Sequence, residues 1–274
     1  MVKIEGHRQY LFDNAGLLTP FLTEPGIPDV ELRCEVVDAF AQPVGSEVFR
    51  DSGRRVYAYE GAYISYIGAV EKGMDGAYIR VTRRGSVSHA QFLKNSLGGR
   101  ITPKTVLAAL EVEHLITAGR GLLFHAACIA HEGRAILFTA PSGTGKSTQA
   151  ELWRRYRNAR IINGDRIVIR LVEGGIYAAG IPYSGSSGIS ENTTMPLDAI
   201  VYLNQGQENA VTRLSGAGAF RRVWEGCSFH SWNREDTERA LETAMEVIRN
   251  IPVYHFSCTP DVQAVAALEA ELNR

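Results

Sequence analysis

The run Ala140-Pro141-Ser142-Gly143-Thr144-Gly145-Lys146-Ser147 carries the clearest chemical pattern in the sequence. It fits the phosphate-binding pattern G-x-x-x-x-G-K-[ST], with Ala140 in the place of the first glycine. Such a loop must turn sharply so that successive backbone N–H groups converge on phosphate oxygens. Gly143 and Gly145 permit that close approach. Lys146 would set a point charge on the β- and γ-phosphates, and the Ser147 hydroxyl would take a Mg²⁺ position. Ser142, Thr144 and Thr148 complete the cradle, and the helix that follows adds its dipole. The bland alternative is a glycine-rich turn that binds nothing.

A phosphate loop implies a nucleotide but no reaction, and Mg²⁺ needs an acidic partner at the end of a neighbouring buried strand. Arg160-Ile161-Ile162-Asn163-Gly164-Asp165 offers Asp165 as metal ligand and catalytic group, with Arg166 beside it. Asp165 could equally be a turn aspartate after Asn163-Gly164. His125 lies within the apolar run Leu122–Ile129, where a histidine is either a core residue or a catalytic one.

Elements able to position these residues can be read on both sides. Ala135–Phe138 is an apolar strand entering the loop, and Ser147–Tyr156 is the helix leaving it. Short apolar runs at Leu122–Ile129, Arg134–Thr139, Arg160–Ile162, Ile167–Leu171 and Ile200–Leu203 read as strands. Glu235–Asn250 reads as a helix with Leu241, Ala244, Met245 and Ile248 on one face. Val253–Ser257 reads as a last strand and Asp261–Leu272 as a closing helix.

The first hundred residues read differently. Val30, Leu32, Cys34 and Val36 alternate with charged residues, and Val56–Tyr59, Tyr63–Ile67 and Tyr78–Val81 are rich in tyrosine and β-branched residues. Asp51-Ser52-Gly53, Lys72-Gly73 and Asp75-Gly76 supply turns. A helix is expected from Thr102-Pro103 to Gly119. The expected organisation is a β-rich module over 1–100 and a catalytic α/β domain over 101–274.

Composition excludes several classes. Lys+Arg 29 against Asp+Glu 30 gives a formal charge of -1, without the basic excess of a nucleic-acid binder. The four cysteines form no C-x-x-C pair, which disfavours zinc and suits a reducing, cytoplasmic setting. No apolar run reaches membrane-spanning length, and the N-terminus lacks the apolar run of a signal peptide.

The sequence resembles the catalytic domain of the HPr kinase/phosphorylase family, in the phosphoenolpyruvate-carboxykinase-like group of P-loop proteins. The resemblance rests on Phe124-His125-Ala126-Ala127, Ala140–Thr148 and Asn163–Ile167, and more loosely on Gly180–Gly188 and Met195–Leu203. It is good over Gly119–Ile169 and looser through Leu203. It implies an α/β fold with a mixed sheet and flanking helices, and it places the strand histidine, His125, beside the loop. The family carries two adjacent aspartates where this chain has Gly164-Asp165. Asp165 must therefore act as metal ligand, base or both, unless Glu191 or Asp198 supplies the second carboxylate. The N-terminal hundred residues do not resemble the HPr kinase N-terminal domain; they are similar to the β-rich leader of relatives, some of which act in peptide modification.

The expectation is a Mg²⁺-dependent kinase that passes the terminal phosphoryl group of ATP, or another nucleoside triphosphate, to a hydroxyl. The acceptor would be a serine of a protein or peptide, or a small metabolite, with no nucleic acid or membrane partner. Lys146, Asp165 and His125 are the expected catalytic residues, and the resemblance makes a homo-oligomer a candidate state. A nucleotide-binding regulator without phosphoryl transfer and a simple triphosphate hydrolase are the rivals. Gly180–Gly188 is either a lid or a surface connection. Arg213, Arg221 and Arg222 either stabilise phosphoryl charge or line a solvated helix face.

Overall fold

The computed structural model describes residues 2–5, 18–24, 26–70, 76–96, 103–183, 185 and 187–274. The expected helix cap Thr102 and the Lys72-Gly73 turn lie outside the described residues. The chain divides into two compact units, Met1–Val112 and Glu113–Arg274.

The first unit is built on a seven-stranded sheet ordered β1-β2-β7-β6-β5-β4-β3. Its strands are β1 (Val2–Glu5), β2 (Val30–Val37), β3 (Ser46–Arg50), β4 (Arg54–Tyr59), β5 (Ala62–Gly68), β6 (Ala77–Arg84) and β7 (Val87–Leu93). β2 lies parallel to β1 and β7, and the remaining pairs are antiparallel. Alternation buries one face: Ala77, Ile79, Val81 and Arg83 of β6 point inward while their neighbours do not. The Asp51 carboxylate shapes the β3–β4 hairpin by accepting N–H bonds from Gly53 (2.7 Å) and Arg54 (2.6 Å).

The single helix expected over 103–119 is instead two, α1 (Pro103–Ala109) and α2 (Val112–Ala118). Glu111 between them takes a left-handed φ of 50°. Its carboxylate, 1 % exposed, accepts bonds from the Ser65 hydroxyl and from Arg83 Nε, both at 2.7 Å. A buried carboxylate needs those partners, and meeting them stops the helix.

The second unit is α/β, with a mixed sheet between helices. Its sheet runs β11-β9-β10-β14-β13-β12-β8-β16, and β17 joins β14 and β15. The strands are β8 (Gly121–His125), β9 (Ala127–His131), β10 (Arg134–Thr139), β11 (Arg160–Asn163), β12 (Arg166–Val172), β13 (Gly175–Ala179), β14 (Thr194–Gln205), β15 (Ala210–Leu214), β16 (Cys227–Ser228) and β17 (Val253–Cys258). β10, β14 and β17 are parallel neighbours; the other pairs are antiparallel.

The apolar run 122–129, expected as one strand, changes partner in the middle. β8 pairs with β12, and β9 pairs with β10 and β11. At the change, Ala126 N–H donates to Asp165 O at 3.1 Å. The pleat keeps its phase through the break. Leu122, Phe124, Ala126 and Cys128 enter one core cluster, and Ala127 and Ile129 the other. An unbroken period of two therefore hides the switch from the sequence.

The helices are α3 (Lys146–Arg157), α4 (Gly216–Gly226), α5 (Arg234–Asn250) and α6 (Val262–Leu272). α4 and α5 cover the cluster containing Leu122, Phe124, Leu137, Val223, Ala244 and Val247. α3 and α6 cover the opposite one, built on Ile129, Phe138, Trp153, Phe256 and Leu268. Side-chain caps start α5 and α6: Asn233 accepts from Glu235 and Asp236 N–H, and Asp261 from Gln263 and Ala264 N–H. Apolar periodicity marks no element at β13 or β15, which are short, whereas α4 carries Ala219, Phe220, Val223 and Trp224 on one face despite its glycines. Among the described residues, no helix is long and apolar enough to cross a membrane.

Candidate active site

β10 delivers the chain into the 140–145 loop, and α3 begins directly after it. Gly143 at φ 80° and Gly145 at φ 119° occupy backbone conformations that L side chains rarely adopt. Gly145 caps α3 without any side-chain hydrogen bond, so no side-chain oxygen occupies the first-turn N–H groups. Ser142, Gly143, Ser147 and Thr148 are exposed around that opening. The departure at Ala140 is harmless: its φ is not positive, and its methyl is buried in the α3 core cluster.

Lys146 folds back under the loop. Nζ donates to Ala140 O at 2.9 Å and to Pro141 O at 3.2 Å, and the residue is only 8 % exposed. Burial pushes its pKa down and the Asp165 carboxylate pulls it up, with burial prevailing. Gln205, the last residue of β14, braces the loop through Nε2 contacts of 3.4 Å to Gly143 O and Thr144 O.

His125 ends β8 and Asp165 immediately precedes β12, so the β8–β12 pairing brings them together. His125 Nε2 lies 3.5 Å from Asp165 Oδ1. Both side chains are about a third exposed, at 36 % and 32 %. The His125 pKa is lowered, first by burial, then by the Lys146 charge, with Arg166 adding to it and Asp165 opposing. The shift favours the neutral imidazole, which has a nitrogen able to accept a proton. On the strand side, Thr139 Oγ1 donates to His125 O at 2.9 Å, tying the base of the loop to the histidine strand.

Asn163 fixes the aspartate from below. It is fully buried; its Oδ1 accepts the N–H groups of Asp165 (2.9 Å) and Arg166 (3.0 Å). Its Nδ2 donates to Ile181 O (3.1 Å) and Tyr183 O (2.6 Å), which anchors the 180–188 stretch. Arg166 reaches from the next position: Nη1 donates to Ser228 Oγ at 2.8 Å, Nε sits 4.0 Å from Asp165 Oδ2, and the guanidinium lies 5.8 Å from the Tyr183 ring.

The structure therefore gathers Lys146, His125 and Asp165 into one electrostatic cluster, with Ser147 and Thr148 on the adjoining helix turn. Glu191 and Asp198 are held in ion pairs with Arg160 (3.3 Å) and Arg134 (2.9 Å), and Asp198 lies by the start of β10, away from the loop. Arg221 and Arg222 both bind Glu225, and Arg222 also lies 4.0 Å over the Tyr202 ring. Tyr202 is the β14 partner of Thr139, which brings Arg222 to the strand end beneath the loop. Arg213 stands on β15, opposite Tyr254 of β17. Sequence motifs did not single out Thr139, Gln205 or Ser228, because single polar residues at strand ends carry no local pattern.

Hard oxygen donors, the Ser147 hydroxyl and the Asp165 carboxylate, suit Mg²⁺. Among the described residues, no group of three or more His, Cys, Asp or Glu side chains could hold a metal. Mg²⁺ does not require one, since it binds through one or two carboxylates together with substrate phosphates.

A glycine-turned loop between a buried strand and an uncapped helix, beside a histidine–aspartate pair, gives this α/β protein its candidate site. The chain belongs to the family described as SynChlorMet cassette protein ScmC, whose match spans residues 105–264. No curated protein matches it. Among solved structures it is similar to the Hpr(Ser) kinase/phosphatase from Coxiella burnetii, at 11 % identity and a TM-score of 0.32. That alignment covers 55 % of this chain and 92 % of the other, a likeness too loose to bear on function.

Proposed function

We infer that the second unit is a nucleoside-triphosphate-dependent phosphotransferase whose acceptor is a hydroxyl. The observation that carries the reading is the arrangement around Lys146. A buried lysine closes a loop with two positive-φ glycines, its charge lowers the pKa of His125, and it feels the charge of Asp165. Phosphoryl transfer asks for that combination: anion donors on one side, and a proton acceptor with a carboxylate on the other.

In this reading the loop N–H groups, Lys146 and Thr148 hold the phosphates of ATP or a related triphosphate. Ser147 and Asp165 hold Mg²⁺, which when bound neutralises phosphate charge. His125 and Asp165 orient the acceptor hydroxyl and take its proton. Thr139 and Asn163 keep those two groups in register, and Arg166 adds a fixed positive charge. The cysteines take no part as nucleophiles, since burial pushes Cys34 and Cys227 up to about 12, Cys128 higher still, and raises Cys258 as well.

The direct test is calorimetric titration of the purified chain with ATP, with and without Mg²⁺. Mg²⁺-dependent binding that weakens in Lys146→Met supports the reading; absence of binding by the wild type removes it. A pure nucleotide-binding regulator would bind equally well and transfer nothing to any hydroxyl compound. The His125–Asp165 contact, which binding alone does not need, favours transfer.

A further inference from the structure

The 181–189 stretch meets the candidate carboxylate more closely than a passing surface loop would. Gly185 lies against Asp165 so tightly that a Cβ on it would come within 2.8 Å of Asp165 Cβ and 3.4 Å of its Oδ1. Two residues on, Ser187 faces Gly164, where a Cβ would meet Ser187 Oγ at 2.2 Å. The hydroxyl of Ser187 thus fills the space a side chain at 164 would take, immediately beside Asp165. Glycine at 164 and 185 is what lets the two segments interlock.

The segment is anchored at both ends. Asn163 Nδ2 holds Ile181 O and Tyr183 O, Ser190 Oγ donates to Ile181 O at 2.7 Å, and Glu191 N–H donates to Ile162 O at 2.9 Å. Between the anchors, Gly188 N–H closes a turn on Gly185 O at 3.2 Å. Ser187 is exposed at its tip, and its Oγ accepts a 3.3 Å bond from Ile189 N–H. That bond uses a lone pair and leaves the hydroxyl proton to be taken by a base.

We propose that Ser187 is a phosphoryl acceptor in cis, so that the protein phosphorylates its own 181–189 turn. This rests on the reading of the site as triphosphate-dependent. Ser187 Oγ attacks the γ-phosphorus of the bound nucleoside triphosphate. The Oγ–P bond forms as the bond from that phosphorus to the β,γ-bridging oxygen breaks. The nucleoside diphosphate leaves with the electron pair, and the serine proton passes to the Asp165 carboxylate. The reaction needs no external hydroxyl, because the acceptor serine already packs against Gly164, the residue that precedes the base.

The experiment incubates the full chain with Mg²⁺ and ATP, follows intact mass, maps the modified peptide, and measures ATP affinity by calorimetry in parallel. The expected result is one added phosphate on Ser187, at a first-order rate unchanged by diluting the protein. Ser187→Ala loses the label while binding ATP with wild-type affinity; Ser187→Thr, which keeps a hydroxyl, retains it. Gly164→Ala, whose methyl displaces Ser187, slows labelling without weakening ATP binding. The proposal is overturned if ATP binds and is hydrolysed or passed to an added hydroxyl compound with Ser187 unmodified. It is equally overturned if the label falls on another residue, or if its rate scales with protein concentration. Failure to bind ATP at all would bring down the underlying reading with it, and the calorimetry separates that case.

Discussion

Lys146 Nζ and the carbonyl oxygen of Ala140 are joined at 2.9 Å, so the cation of the candidate site is held by the loop that it closes. In the proposed function that ammonium would exchange a carbonyl for a phosphate oxygen. Lys146→Met should weaken ATP binding by about 10- to 100-fold, the equivalent of losing one charge-assisted hydrogen bond. Circular dichroism should find the fold intact, because the bonds lost are two, and one of the carbonyls left behind belongs to the exposed Pro141.

The His125 ring offers a titration with opposite signs in two variants. Its folded pKa lies below the ordinary 6.5, and the causes are burial and Lys146, against Asp165. Lys146→Met should therefore move the midpoint up, and Asp165→Asn should move it further down. Imidazole NMR chemical shifts followed against pH report both. A group whose folded pKa is depressed binds fewer protons folded than unfolded, so stability falls as pH drops below 6.5 toward the folded value. A transfer reaction that uses neutral His125 keeps its activity down to that same depressed value.

Asn163 is a four-bond hub in the core. Asn163→Asp keeps the acceptor for Asp165 and Arg166 N–H but sets a carboxylate against the carbonyls of Ile181 and Tyr183. The expected cost is about 2–4 kcal/mol in urea unfolding, as for a buried polar group with its partners mismatched. Limited proteolysis should cut the variant first within 181–189.

In the first unit the prediction concerns stability alone. Arg83→Met leaves the Glu111 carboxylate buried without its guanidinium, and breaking such a pair costs about 3–5 kcal/mol. The double variant Arg83→Met/Glu111→Leu removes both charges and should recover most of that loss. Chemical denaturation of the wild type, single and double variants decides it.

The candidate site was legible where its chemistry is local. The loop from Ala140 to Thr148 announces itself through glycine spacing and a lysine, and the strand–loop–helix order around it follows from apolar runs. Asp165, expected at the end of a short strand, lies instead in the bend between β11 and β12 that the Asn163 side chain closes, the turn position that was the alternative reading. The partner change at Ala126 was not legible, since the pleat runs through it in phase. Nor was the break at Glu111, because its cause is a pairing with Ser65 and Arg83 that lie far back in the chain. Thr139, Gln205 and Ser228 act through contacts between distant segments, and composition carries no trace of those.

The interlock between Gly164 and Ser187 also limits what the relatives of this chain can look like. A relative with a side chain at position 164 has to give up the volume of residue 187, and one with a side chain at 185 has to displace the side chain of the aspartate. Positions 164, 185 and 187 should consequently vary as a set across the family rather than drift independently. A collection of related sequences would then carry an imprint of this contact without any coordinates at all.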